Sequence, residues 1–264
     1  MHNREHPSTV LPQNTSNRRE APHLLFSSEH WVQGSPLPRV RGAQPRILSL
    51  LTRAPYTHRV SSAKEAGAIV LVGGQSSRMG QPKAALDFGG MPLLTRIVIE
   101  LKWWFDEIVI VAAPESAGQP RIEIAGLKIV HDETAFAGPL DALRRGLNAI
   151  EHGVAFACSC DLPLLNSDVA ADLVAMLDSY DAVIPEVGGK LQPLHAVYRK
   201  ECANAIASLE TSGETRLTAS AAAINGRKVG EEELRKIDPQ LSSFFNVNTP
   251  EEYRRALQLA GIAK

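Results

Sequence analysis

The run Gly73-Gly74-Gln75-Ser76-Ser77-Arg78-Met79-Gly80-Gln81-Pro82-Lys83 joins three glycines to a guanidinium and an ammonium, directly after the apolar stretch 68–72. Glycine lets a backbone approach a polyphosphate closely and turn successive N–H groups toward its oxygens as an anion-binding nest. Arg78 and Lys83 add positive charge where an α-phosphorus under attack gathers negative charge. Two familiar phosphate loops are excluded. A Walker A loop requires Gly-Lys-Ser/Thr, whereas Gly80 is followed by Gln81-Pro82-Lys83-Ala84; a dinucleotide fingerprint requires Gly-x-Gly-x-x-Gly, which Gly73, Gly74 and Gly80 do not space. A second chemical feature is the carboxylate of Cys160-Asp161-Leu162-Pro163, which ends another apolar run. There Asp161 either supplies a hard oxygen ligand for Mg²⁺ facing a triphosphate or caps the turn before Pro163.

Elements that could hold these residues follow from periodicity. Segments 68–72, 107–112, 127–131, 154–160 and 181–185 read as buried strands of a mainly parallel sheet. Between them, 92–105, 139–151 and 167–179 carry apolar residues every three and four positions, as helices packed on a sheet do. Pro139 suits a first helical position after Gly138, and Ser167 and Asp168 offer an N-cap. The expected fold is therefore α/β: a doubly wound, mainly parallel sheet in three layers, α/β/α, with ligands at the carboxyl ends of the strands. After Val187 the rhythm changes. Segment 190–199 reads as a strand pairing antiparallel at an edge or in a flap, helices follow at 200–209 and 214–224, and Thr249-Pro250-Glu251-Glu252 opens a last helix with a capping box.

Composition divides the chain in two. Residues 1–66 hold seven prolines, five of the eight histidines and nine Lys/Arg against four Asp/Glu, a net +5, and read as a disordered extension. Translation beginning near Val60 is the alternative expectation for this stretch. Residues 67–264, the expected domain, retain 19 of the 28 basic and 25 of the 29 acidic side chains, a net −6. Such an acidic body argues against a nucleic-acid binder, which needs clustered Lys and Arg, and leaves free nucleotides as ligands. No run of 18 apolar residues is present to cross a membrane. Three cysteines, Cys158, Cys160 and Cys202, imply no disulfide framework and a reducing, cytoplasmic setting, with the thiols in the core. Trp103-Trp104-Phe105 reads as core packing, with a partner-facing patch as the alternative.

The segment Leu71-Val72-Gly73-Gly74-Gln75-Ser76-Ser77-Arg78-Met79-Gly80-Gln81-Pro82-Lys83 resembles the signature of the MobA-like nucleotidyltransferases, within the wider sugar-nucleotide and cytidylyl transferase fold, a Rossmann-like arrangement. The likeness runs from about residue 68 to 262. It implies a nucleotide site built from Leu71, Val72, Gly73, Gly74, Ser76, Gly80 and Lys83, with Arg78 and Lys83 catalytic. Cys160-Asp161-Leu162-Pro163 is similar to the family's Cys-Asp-x-Pro, whose Asp holds Mg²⁺; Asp132, after His131, resembles an acidic position contacting the nucleotide. Gly138-Pro139-Leu140 resembles a turn into a helix, and Asn246-Val247-Asn248-Thr249-Pro250 the family's Asn-x-Asn-Thr-Pro, implying that Asn246 and Asn248 orient acceptor or metal. Gln192–Tyr198 is similar to the segment between the two halves of the site; His195 within it is expected to be a satisfied, half-buried residue with no acid/base role. The implied activity is transfer of GMP from GTP to the molybdopterin cofactor, with an apo-molybdoenzyme as a further partner. Cytidylyl transfer to the same or another phosphorylated acceptor is the alternative, and a nucleotide-binding carrier without turnover a third reading. Two departures bear on the base site: Ala112-Ala113-Pro114 stands where guanylyl members often carry Asn, and Ala142 where Gly is common.

Overall fold

The computed structural model describes residues 24–26, 65–73, 79–114, 122–124, 126–131 and 138–262. Its elements are strands β1 (Leu24–Phe26), β2 (Ala66–Val72), β3 (Ile108–Ala112), β4 (Ile122–Ile124), β5 (Lys128–His131), β6 (Val154–Ser159), β7 (Ala182–Val187), β8 (Lys190–Leu191), β9 (His195–Arg199) and β10 (Gly226–Val229). The α-helices are α1 (Leu93–Leu101), α2 (Pro139–Ala149), α3 (Ser167–Ala175), α4 (Cys202–Thr211), α5 (Leu217–Ala223), α6 (Glu231–Leu234) and α7 (Pro250–Leu259), with 3₁₀ turns at Lys83–Ala85 and Ser242–Phe244.

The main sheet runs β10-β7-β9-β6-β2-β3-β5, with β8 folded back on β7. Pairs β10–β7, β6–β2, β2–β3 and β3–β5 are parallel. Strand β9 lies antiparallel between β6 and β7. This corrects the expectation of one edge or flap strand over 190–199: only β8 is such a flap, and β9 sits inside the sheet. Its sequence, His195-Ala196-Val197-Tyr198, is buried throughout, as an interior strand requires. Strands β4 and β10 are too short for a periodicity signal. Within the stretch whose composition reads as disordered, Leu24–Phe26 forms β1, parallel to β4; the remainder of residues 1–64 lies outside the described residues.

Strand alternation sorts side chains onto the two faces of the sheet. In β2, Ala66, Ala68 and Val70 join the core beneath α1 and α3, while Ile69 and Leu71 join the core beneath α2 and α4; β3 divides in the same way, giving the three layers expected. Gly146 of α2 is the point of closest approach, since a Cβ there would lie 2.5 Å from Cγ2 of Ile69. Pro139 opens α2 at its first turn, where its missing N–H costs nothing, and Gly138 supplies φ +106° before it. The N-cap of α3 is Asn166, not Ser167 or Asp168: its side chain accepts from the N–H of Asp168. Ser167 is instead turned inward onto Glu100, and Asp168 accepts from the indole N–H of Trp104 at 3.0 Å. Trp104 is thus core, as expected, while Trp103 is exposed.

Candidate active site

The parallel strands β2, β3 and β6 end together, and their carboxyl ends open on a cavity of about 320 Å³. Leu71, Val72 and Gly73 from β2, Val111 and Ala113 from β3, and Ser159 and Asp161 from β6 line it. Gly138, Pro139 and Ala142 close one side from the start of α2, and Leu194 enters ahead of β9. One wall is apolar and suits the flat face of a base; the other presents hydroxyl and carboxylate oxygens.

The charged corner is built by three segments distant in sequence. Lys83, in the 3₁₀ turn behind Pro82, places its ammonium 2.9 Å from Oδ2 of Asp161 and 2.6 Å from Oδ1 of Asn248. The hydroxyl of Ser159 donates to the other carboxylate oxygen, Oδ1. The backbone is pinned in parallel: the Val247 N–H donates to the Asp161 carbonyl at 2.9 Å. Glu252 then accepts from the N–H groups of Asn248 and Thr249, and the Thr249 hydroxyl accepts from Glu252 N–H, completing the capping box read from the sequence. Tyr253, one residue into α7 beyond it, donates to the carbonyl of Asp87, tying that helix to the segment that carries Lys83.

The Asp161 carboxylate turns toward the Lys83 ammonium and the Ser159 hydroxyl at the cavity. Leu71, Val72, Gly73, Lys83, Asp161 and Asn248 are brought together as expected. Gly80 stands in an exposed left-handed turn, φ +67°, which favours glycine. Asn246 is exposed, and it is Asn248 that holds Lys83. Gly74, Ser76, Arg78 and Asp132 lie outside the described residues. Sequence reading missed Ser159 and Val111, whereas the walls Ala113 and Leu194 fall within the stretches 112–114 and 192–198 that the family resemblance had set beside the site. Ser159 was accessible in principle, since alternation puts it on the same side as Asp161, two residues on; Val111 depends on strand order.

The cysteines are free and buried. Burial pushes the Cys160 thiol up to about 12 and Cys158 higher still, so neither is a nucleophile at neutral pH. His195 corrects its expectation of being half-buried and satisfied. It is fully buried, its Nε2 lies 3.3 Å from the hydroxyl oxygen of Ser243, and its Nδ1 has no partner among the described residues. Burial lowers its pKa to about 3 and keeps it neutral.

With this geometry in place, the comparisons with known proteins are decisive. A family model described as a MobA-like NTP transferase domain matches residues 68–258. The chain belongs to this family. As a MobA-like NTP transferase it is a nucleotidyltransferase, and curated relatives agree. A probable molybdenum cofactor guanylyltransferase of Pelotomaculum thermopropionicum is 33% identical over 196 residues, covering 74% of this chain and 94% of the relative. A molybdenum cofactor guanylyltransferase of Desulfosudis oleivorans is 32% identical over 192 residues, covering 71% and 92%. Among solved structures, molybdopterin-guanine dinucleotide biosynthesis protein A of Archaeoglobus fulgidus superposes with a TM-score of 0.63 at 24% identity, over 74% of this chain and 98% of that one. That last likeness is one of fold. In this MobA-like transferase the matched span begins on β2 and closes within α7, so it contains the whole cavity and its charged corner.

Proposed function

We infer that the protein is a molybdenum cofactor guanylyltransferase, which transfers GMP from GTP to the terminal phosphate of the molybdopterin cofactor and releases pyrophosphate. The observation that carries this reading is the Lys83 ammonium seated between the Asp161 carboxylate and the Asn248 amide oxygen, beside an apolar cavity at the strand ends. The names of the relatives supply the base and acceptor.

Positioning and charge neutralisation carry most of such a reaction, because phosphoryl-type transfer asks little covalent chemistry of the protein. The cavity walls Leu71, Val111, Ala113 and Ala142 hold the base and exclude water from it. An oxygen of the acceptor phosphate forms its bond to the α-phosphorus as the bond to the pyrophosphate oxygen breaks, and the electron pair leaves with pyrophosphate. Lys83 sits where it can turn its N–H donors onto phosphate oxygens as negative charge grows there. Asn248 and Ser159 keep Asp161 and Lys83 in register.

The donor set fits Mg²⁺. Among the described residues no group of three or more His, Cys, Asp or Glu side chains is gathered. Asp161 and Asn248 offer hard oxygens only, already arranged about one cation, the ammonium of Lys83. Mg²⁺ favours a few such ligands with phosphates and waters completing its shell. Asp161, with Asn248, would hold the ion, which when bound neutralises phosphate charge. Free buried thiols support a cytoplasmic location, where an apo-molybdoenzyme could take up the product.

The test is pyrophosphate release by the purified chain with Mg²⁺ and GTP, CTP or ATP, with and without molybdopterin cofactor. Release with GTP only when the cofactor is present is the expected result. Release with CTP instead would make the enzyme a cytidylyltransferase, and tight GTP binding without turnover would leave a carrier.

A further inference from the structure

We propose that Ser243, backed by the buried imidazole of His195, is a positioning residue that sets the distance between Asp161 and Asn248. The proposal rests on the reading of those two residues as the charged corner of the active site. Ser243 is completely buried in the 3₁₀ turn Ser242–Phe244. Its hydroxyl oxygen accepts from the Asn166 N–H at 3.0 Å and lies 3.3 Å from His195 Nε2, while its own N–H donates to Oδ2 of Asp238 at 2.8 Å. One hydroxyl therefore joins β9, the turn that follows β6, and the loop that leads to α7.

The register of these bonds gives them a consequence at the site. Asn166 lies five residues beyond Asp161, and Ser243 five residues before Asn248. The Val247 N–H to Asp161 carbonyl bond and the Asn166 N–H to Ser243 hydroxyl bond thus form two rungs between segments that run in opposite directions. The first rung touches the site; the second stands at the far end and fixes the angle between the segments. Leu241, immediately before this turn, is held at φ +53°, a left-handed conformation that a bulky residue adopts only when its surroundings impose it.

His195 accounts for the second rung's rigidity. Its ring stands edge-on to Phe156 at 5.2 Å and is tilted against Phe244 at 4.2 Å, and its strand pairs with β6 at Cys158, three residues before Asp161. An apolar ring would fill the same space without leaving Nδ1 unpaired. The polar cost of imidazole at this place is matched by one contact, Nε2 with Ser243. Among the described residues no carboxylate makes a hydrogen bond to the ring; Asp238 reaches it through the Ser243 backbone.

The test is a double-mutant cycle. Wild type, Ser243→Ala, Asn248→Ala and the double variant are assayed for pyrophosphate release with GTP, molybdopterin cofactor and titrated Mg²⁺, and for binding of a fluorescent GTP analogue without metal. Ser243→Ala is expected to lower kcat about tenfold and raise the Mg²⁺ needed for half-activation, with analogue affinity within about twofold of wild type. In the Asn248→Ala background the same change is expected to cost less than about twofold, because the residue it acts through is gone. His195→Phe, which keeps the ring and removes the nitrogens, is the second arm and should reproduce the kcat loss in milder form; Ser243→Thr should restore turnover. Wild-type kcat in Ser243→Ala, or full additivity with Asn248→Ala, overturns the proposal. If Ser243→Ala does not fold, wild-type kcat and Mg²⁺ dependence in His195→Phe overturn it instead. Wild-type turnover in Asn248→Ala alone refutes the site reading on which the proposal stands, a failure distinguishable from the other two.

Discussion

Lowering the pH from 7.5 to 5 should destabilise the protein by about 2 kcal/mol through His195 alone. In the unfolded chain the imidazole titrates at about 6.5. In the fold, burial holds it near 3. Between these values the unfolded state binds a proton that the native state refuses, so the stabilising contribution of the neutral ring is complete above pH 6.5 and is lost as pH falls toward 3. At pH 5 the loss is set by the 1.5 units separating that pH from the unfolded value, about 1.4 kcal/mol for each. The folded value enters only below about pH 4, so the size of the effect at pH 5 does not depend on how far below that the ring titrates. The perturbation is His195→Gln, which retains a polar group toward Ser243 but no titration. Urea unfolding of wild type and variant at several pH values between 7.5 and 5 gives the two stability curves. Every other titrating group is common to both, so the difference in slope belongs to His195. Wild type should lose about 2 kcal/mol more than the variant across this range; parallel curves would refute the assignment of a buried imidazole that stays neutral in the fold down to pH 5.

Lys83→Ala should lower kcat about a hundredfold, as loss of one charge-stabilising group typically costs about 3 kcal/mol of barrier, while circular dichroism stays that of the wild type; unchanged turnover in a pyrophosphate assay would remove Lys83 from the chemistry. Ala142→Leu, which fills the cavity beside Pro139, should raise the KM for GTP by about tenfold with little change in kcat, the signature of lost uniform binding in steady-state kinetics. Gly146→Val places methyl groups where a Cβ already meets Ile69 at 2.5 Å, and should destabilise the domain by about 1–3 kcal/mol in urea without changing kcat of the folded fraction. Chelating divalent metal should abolish turnover and leave the urea midpoint unchanged, since the charged corner is closed by Lys83 itself.

The sequence by itself determined the elements with strong local periods. Strands β2 and β3, and β6 as far as Cys158, are apolar because both faces are covered, and α7 was legible to the residue because a capping box is a local rule: Thr249 and Glu252 satisfy each other's orphan N–H groups whatever surrounds them. Lys83 and Asp161 could be picked out as candidates from residue type and from their places after apolar strands. Which partner each would choose could not. Lys83 and Asn248 are separated by 165 positions, and only the order of strands in the sheet and the return of the chain through α7 bring them to one carboxylate. Tertiary structure alone likewise put β9 between β6 and β7, moved the α3 cap from Ser167 to Asn166 because Glu100 competes for the serine, and turned His195 from an unremarkable strand residue into a buried tie to Ser243. Local propensity records what a segment can do; long-range contacts decide which of its polar atoms must find a partner and where.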